Sequence, residues 1–118
     1  MSGGGRFPAS MRLKRRDDFR RVYRKGAIWK GTCVSIHILP RESGPRLAIV
    51  VPRRWGNAVA RNRMKRLVRE AFRRRAAKLP AVDLIVRAEP GGRAPRVEEL
   101  EGMIVRAVEA TIGPEVNG

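Results

Sequence analysis

An α+β sandwich with the element order αββαβα is the fold this sequence predicts, on three observations. A period-two segment after Gly31 leads through a turn-rich stretch into an apolar run at 46–51; a long amphipathic helix follows; a third apolar run at 83–88 precedes a last amphipathic helix. At 118 residues the chain has room for one domain and one core. The expected organisation is a flexible N-terminal tail over 1–11, a single domain over 12–113 and a C-terminal tail over 114–118, with no internal repeat.

The first ten residues, MSGGGRFPAS, mix Gly, Ser and Pro with little apolar content and read as a mobile tail. In DDFRRVYRKG (17–26), Asp17 or Asp18 caps a first helix and Gly26 ends it in a left-handed conformation, with Phe19, Val22 and Tyr23 on one stripe. Val34, Ile36 and Ile38 then alternate with Cys33, Ser35, His37 and Leu39, the pattern of a half-buried strand. PRESGP (40–45) is dense in turn formers, and RLAIVV after it is a β-branched run, so the two strands form an antiparallel hairpin. Pro52 stops the second strand, and Gly56-Asn57 opens a helix over 57–78 whose inward stripe is Ala60, Met64, Leu67, Val68, Ala71 and Phe72. DLIVRA (83–88) is the third strand, and an acidic amphipathic helix covers 97–112.

Charge narrows the function. The chain carries 27 Lys and Arg against 11 Asp and Glu, a formal net charge of +16. Like charge in this excess repels itself and calls for an anionic partner. Residues 1–80 hold 23 of the cations and only 4 of the acids, so one end of the sequence does the binding. Of the 27 cations 22 are Arg, whose planar fork pairs bidentately with phosphate. A single cysteine, Cys33, excludes an internal disulfide and a thiolate zinc site and fits a reducing, cytoplasmic setting. No apolar run approaches the ~18 residues of a membrane span, so no membrane is expected; no obligate protein partner is evident.

The helix over 57–78 concentrates the cations. With its apolar stripe facing in, Arg61, Asn62, Lys65, Arg66, Arg69 and Arg73 fall on the outer arc, with Arg63 and Arg74 at its flanks. Only Glu70 interrupts them, so intrahelical ion pairs do not account for the run, and like-charge spacing costs stability. The ridge is suited to tracking a phosphate backbone with strongly salt-dependent affinity. The adjacent acids Asp17 and Asp18 are better explained by helix capping than by catalysis, and no Asp, Glu and His set suggests two catalytic metals or a general base.

The run RRWGNAVARNRMKRLVREAF (53–72), with its Gly-Asn-Ala-Val lead-in and Arg61-Asn62-Arg63, resembles the signature of the bacterial ribonuclease P protein family. RLKRRDDFRRVYRKG (12–26) resembles that family's first helix, and the resemblance spans about residues 12–90. It implies a ribosomal-protein-like two-layer sandwich with a left-handed βαβ crossover, against the right-handed rule that holds in roughly 98% of such units. It also implies partnership with a large catalytic RNA (the ribonuclease P RNA) and with precursor tRNA, from which the holoenzyme removes the 5′ leader by endonucleolytic cleavage. Catalysis would then belong to the RNA and its Mg²⁺ ions; the protein would have no catalytic residue and no metal or cofactor bound by its own motifs.

Residue by residue, the resemblance assigns Arg61, Asn62, Arg63, Lys65, Arg66 and Arg69 to the catalytic RNA. It assigns Phe19, Tyr23, His37, Arg53 and Arg54 to the single-stranded leader. Aromatics at helical spacing are ordinarily core, and the resemblance reverses that reading for Tyr23 and leaves Phe19 balanced. His37 departs from the family, where an aromatic such as Tyr is frequent, but an imidazole can still stack. Trp29 and Trp55 read as packing residues. The nearest competing reading is a ribosomal or RNA-chaperone protein, which would need no leader cleft.

Overall fold

The computed structural model describes residues 8–91 and 93–113. Four strands, β1 (Ala27–Lys30), β2 (Val34–Pro40), β3 (Arg46–Val50) and β4 (Val82–Ala88), form one sheet in the order β1-β2-β4-β3. β2 is antiparallel to both β1 and β4, whereas β3 runs parallel to β4. A parallel pair needs a crossover, and α2 (Ala58–Arg75) supplies it, giving the expected βαβ unit. Contrary to the expected hairpin, β2 and β3 do not pair; β4, with Val82, Leu84, Val86 and Ala88 buried on one face and Asp83 and Ile85 buried on the other, inserts between them.

α2 and α3 (Val97–Ile112) cover one face of the sheet. There Val34, Ile36 and Ile38 of β2 and Leu84 and Val86 of β4 meet Met64, Val68, Ala71 and Phe72 of α2 and Leu100, Ile104 and Ala107 of α3. Burying each large side chain is worth about 1.5–3 kcal/mol, so this is the main core. α1 (Arg16–Lys25) crosses the opposite face, where Val22 packs with Leu13, Ala48 and Ile85, edged by Phe19, Leu39 and Val50. The α+β sandwich stands, with one strand added and α1 on a face of its own.

Several local expectations change. β1 is an edge strand that four residues between two glycines do not announce; its partner β2 defines it, through pairs such as Ile28 with His37. β2 is consequently less open than a half-buried strand, with Val34, Ser35, Ile36 and Ile38 all buried. Gly26 has φ −80° and is not left-handed; it is needed for close approach, since a Cβ would lie 2.6 Å from the Val22 carbonyl oxygen and 2.7 Å from that of Ile38. Arg15, not an aspartate, occupies the N-cap of α1, and Asp17 and Asp18 sit in the first turn, favourable to the helix dipole.

Residues 9–11, assigned to the tail by composition, form a 3₁₀ turn whose Met11 packs on the core. Leu13 then donates its N–H to the Leu47 carbonyl at 2.9 Å, continuing along the free edge of β3. Residues 1–7 and 114–118, the rest of the two expected tails, lie outside the described residues. No described helix is long and apolar enough to cross a membrane.

Candidate nucleic-acid interface

Two surfaces gather the residues singled out by the sequence. The first is α2. Its N-cap is Asn57, whose side-chain oxygen accepts the Ala60 N–H at 2.9 Å. Met64, Val68, Ala71 and Phe72 are buried, with Ala60 and Leu67 half-buried beside them, so the inward stripe is the expected one. That burial fixes the rotation of the helix and turns Asn62, Arg63, Arg66 and Arg69 to solvent, with Lys65 half-exposed.

The cations of α2 divide into three kinds. Arg63, Lys65, Arg66 and Arg69 have no ion pair among the described residues. Arg61 is a staple: its Nη1 donates to the Gly56 carbonyl at 2.6 Å and to that of Arg53 at 3.3 Å, holding the 53–56 turn against the helix start. At the other end Arg73 and Arg74 both bind Glu70, and Arg74 and Arg75 reach Glu101 on α3 at 2.9 and 2.8 Å. The hydrogen bond from Arg74 holds the Glu101 carboxyl below the usual carboxylate range, and Arg73 does the same for Glu70. Ion pairing therefore does account for the last turn of the run, through acids that include one from another helix.

The second surface lies between α1 and the sheet. Strand register puts Ile28, His37, Ile85 and Ala48 in one row across the sheet, and Lys30, Ser35, Arg87 and Val50 in the next. Val22 anchors α1 over the first row, and helical geometry sends Phe19 and Tyr23 to the same flank. Their ring centroids are 6.4 Å apart, and Tyr23 meets His37 edge-on at 4.7 Å and 75°. Tyr23 is 43% exposed, so it is not a core residue, whereas Phe19 is half-buried and packs on the smaller core. The three rings thus form one open aromatic wall.

Burial pushes the His37 imidazole pKa down and the nearby Arg87 adds to this, with Glu89 opposing. Its Nδ1 is buried with no hydrogen-bond partner among the described residues. Arg53 and Arg54 are exposed in the 3₁₀ turn after β3, beyond the end of that strand where Val50 pairs with Arg87.

Arg87 and Lys30 were missed from the sequence. Alternation in DLIVRA places Arg87 on the face of Asp83 and Ile85, which was the available signal; Lys30 depended on a strand that the pattern did not reveal. Trp29 and Trp55 pack half-buried on the main core, as expected, and Cys33 is buried. Asp18 and Asp83, the buried acids nearest this region, are both engaged by Arg46.

The family model described as Ribonuclease P matches residues 7–111. The chain belongs to that family. Among similar proteins, the ribonuclease P protein component of Coprothermobacter proteolyticus is 42% identical over 72 residues, a match spanning 61% of this chain and 60% of that protein. That of Syntrophobacter fumaroxidans is 39% identical over 97 residues, covering 77% of this chain and 79% of the relative. In three dimensions the Staphylococcus aureus RNase P protein superposes with a TM-score of 0.73 at 27% identity, over 85% of this chain and 94% of that one. The Thermotoga maritima RNase P protein gives 0.70 at 26%, over 84% and 96%. The family's α+β sandwich is therefore the fold found here.

Proposed function

We propose that this chain is the protein subunit of a ribonuclease P holoenzyme, acting in tRNA maturation in the cytoplasm. It docks the catalytic RNA through the stretch of α2 before Glu70 and receives the single-stranded 5′ leader of precursor tRNA in the cleft beside α1. The observation that carries the reading is the convergence of Phe19, Tyr23 and His37 on one open wall, bordered by Arg87 and Lys30. Unpaired bases stack on such rings at about 1–3 kcal/mol each with little regard to sequence, while flanking cations neutralise the backbone. Arg53 and Arg54, stapled to the helix start by Arg61, connect this cleft to the free cations of α2.

In this reading Arg63, Lys65, Arg66 and Arg69 contact phosphates of the catalytic RNA, Asn62 adds a neutral hydrogen-bonding group, and Arg61 contributes chiefly by holding the turn. Cleavage is the work of the RNA and its magnesium ions. The buried carboxylates among the described residues do not fit a magnesium site, because Asp18, Asp83 and Glu101 are each already paired with arginines. The protein raises substrate affinity and lowers the magnesium requirement.

The test is reconstitution with a ribonuclease P RNA at low magnesium, with stimulated leader removal expected; protein alone with precursor tRNA and Mg²⁺ should cleave nothing. Tyr23→Ala is expected to weaken precursor binding about tenfold, in line with the loss of one stacked base, while mature-tRNA binding stays unchanged. Equal weakening of both would remove the leader cleft and favour a general RNA-binding protein.

A further inference from the structure

α1 has a second flank. Val22 points into the sheet, Phe19 and Tyr23 lie to one side of it, and Asp18, Arg21 and Lys25 lie to the other. On that other side α1 faces the row Leu39, Asp83, Arg46 and the turn after β2, enclosing an open groove of about 730 Å³. Its floor is an ion network. Arg46 grips Asp83 through Nε and Nη2 at 2.7 and 2.9 Å and reaches Asp18 at 3.4 Å; Arg21 also bonds Asp18, and Arg41 Nε lies 3.5 Å from Asp83.

The two buried acids thus hold three guanidinium groups along the groove. Each guanidinium has five N–H donors, more than the two carboxylates can satisfy. Arg15 and Lys25, both exposed, have no ion pair among the described residues, and Glu42 at the rim is the only other acid in the lining. Five cations over three acids leave a groove that is net cationic, shaped by side chains already tethered. Its openness to solvent suits a strand passing through rather than an enclosed small molecule.

We propose that this flank of α1 is a second RNA-backbone site, in which the unpaired Arg15 and Lys25 bind phosphodiester groups of a strand on the far side of α1 from the aromatic wall, along a path shaped by the tethered Arg21 and Arg41. The proposal rests on the reading that the chain binds RNA, and the phosphates belong either to an extended leader or to the catalytic RNA. The test uses the reconstituted holoenzyme with the double variant R15A/K25A, which removes two unpaired exposed charges and leaves the ion network intact. K78A/R106A, an equal loss of exposed charge elsewhere, is the control.

Affinity for the ribonuclease P RNA and affinity for precursor tRNAs of short and long leader are measured across a salt series. R15A/K25A should weaken one arm about threefold to tenfold and make its salt dependence shallower, by about 0.7–0.9 for each phosphate that is no longer neutralised. Weakening confined to long leaders assigns the groove to the leader, and weakening of assembly assigns it to the catalytic RNA. No change in either arm, or equal weakening by K78A/R106A, overturns the proposal while the aromatic cleft stands. Failure of the wild-type protein to bind RNA at all would remove both readings.

Discussion

The cations of α2 before Glu70 and those after it are used differently. Before Glu70, Arg63, Arg66 and Arg69 face solvent and Lys65 is half-exposed, all four without an acidic partner among the described residues, and Arg61 is bonded to carbonyl oxygens. In the last turn Arg73, Arg74 and Arg75 are tied to Glu70 on the same helix and to Glu101 on α3, with Glu98 3.7 Å from Arg74. Cation density is thus a poor guide to a binding surface, because an arginine already committed to a carboxylate must give up that bond to bind phosphate. The stretch before Glu70 is a candidate interface; the last turn is a clamp between two helices.

The largest expected effect breaks the stretch before Glu70. R63E/R66E/R69E should lower affinity for the ribonuclease P RNA on the order of a hundredfold or more at moderate salt while leaving thermal stability near wild type, since these side chains bury little; binding titration and a melting curve check both. Next comes Met64→Ala, under that stretch and fully buried, which should cost about 2–5 kcal/mol of stability in denaturant unfolding through the cavity it leaves. Asn57→Ala should cost about 1 kcal/mol by removing the cap, and should loosen the 53–56 turn that Arg61 staples.

The smallest effect belongs to the clamp. Glu101→Gln should lower the melting temperature at pH 7 and leave RNA affinity unchanged. The sign with pH follows from the direction of the Glu101 shift. Its pKa is depressed in the folded protein, so its contribution is present above the ordinary carboxylate value of 4.5 and is lost as pH falls through the lower folded value. The gap in melting temperature between Glu101→Gln and wild type should therefore close in that acid range; a gap that persists there would mean that Glu101 acts by packing and not by charge.

Much of the fold was legible because it repeats a period. The alternation around Ile36 and the run 83–88 located β2 and β4 to within a residue or two, and the stripe Met64, Val68, Ala71, Phe72 located α2, which gives way to a 3₁₀ turn over Ala76–Lys78 three residues before its expected end. What escaped was decided by partners distant in sequence. β1 is too short to show a period and exists because β2 lies beside it. Asp18 looked like a cap because its local context suits one, yet Arg46, 28 residues away, takes its carboxylate into a buried network. Glu101 could not be matched to Arg74 and Arg75 until α2 and α3 were side by side. The same holds for the candidate site: ring spacing gave Phe19 and Tyr23 a common flank, but only the sheet brought His37 to 4.7 Å from Tyr23 and added Arg87 and Lys30.

The most direct test of the division within α2 is the salt dependence of binding to a ribonuclease P RNA for R63A/R66A/R69A and for R73A/R74A. The slope of log affinity against log salt should fall by about 2 to 3 for the first variant, close to one unit for each arginine removed from a phosphate, and stay at the wild-type value for the second. An unchanged slope in R63A/R66A/R69A, or an equal fall in R73A/R74A, would contradict the assignment of the RNA-docking surface to the unpaired cations before Glu70.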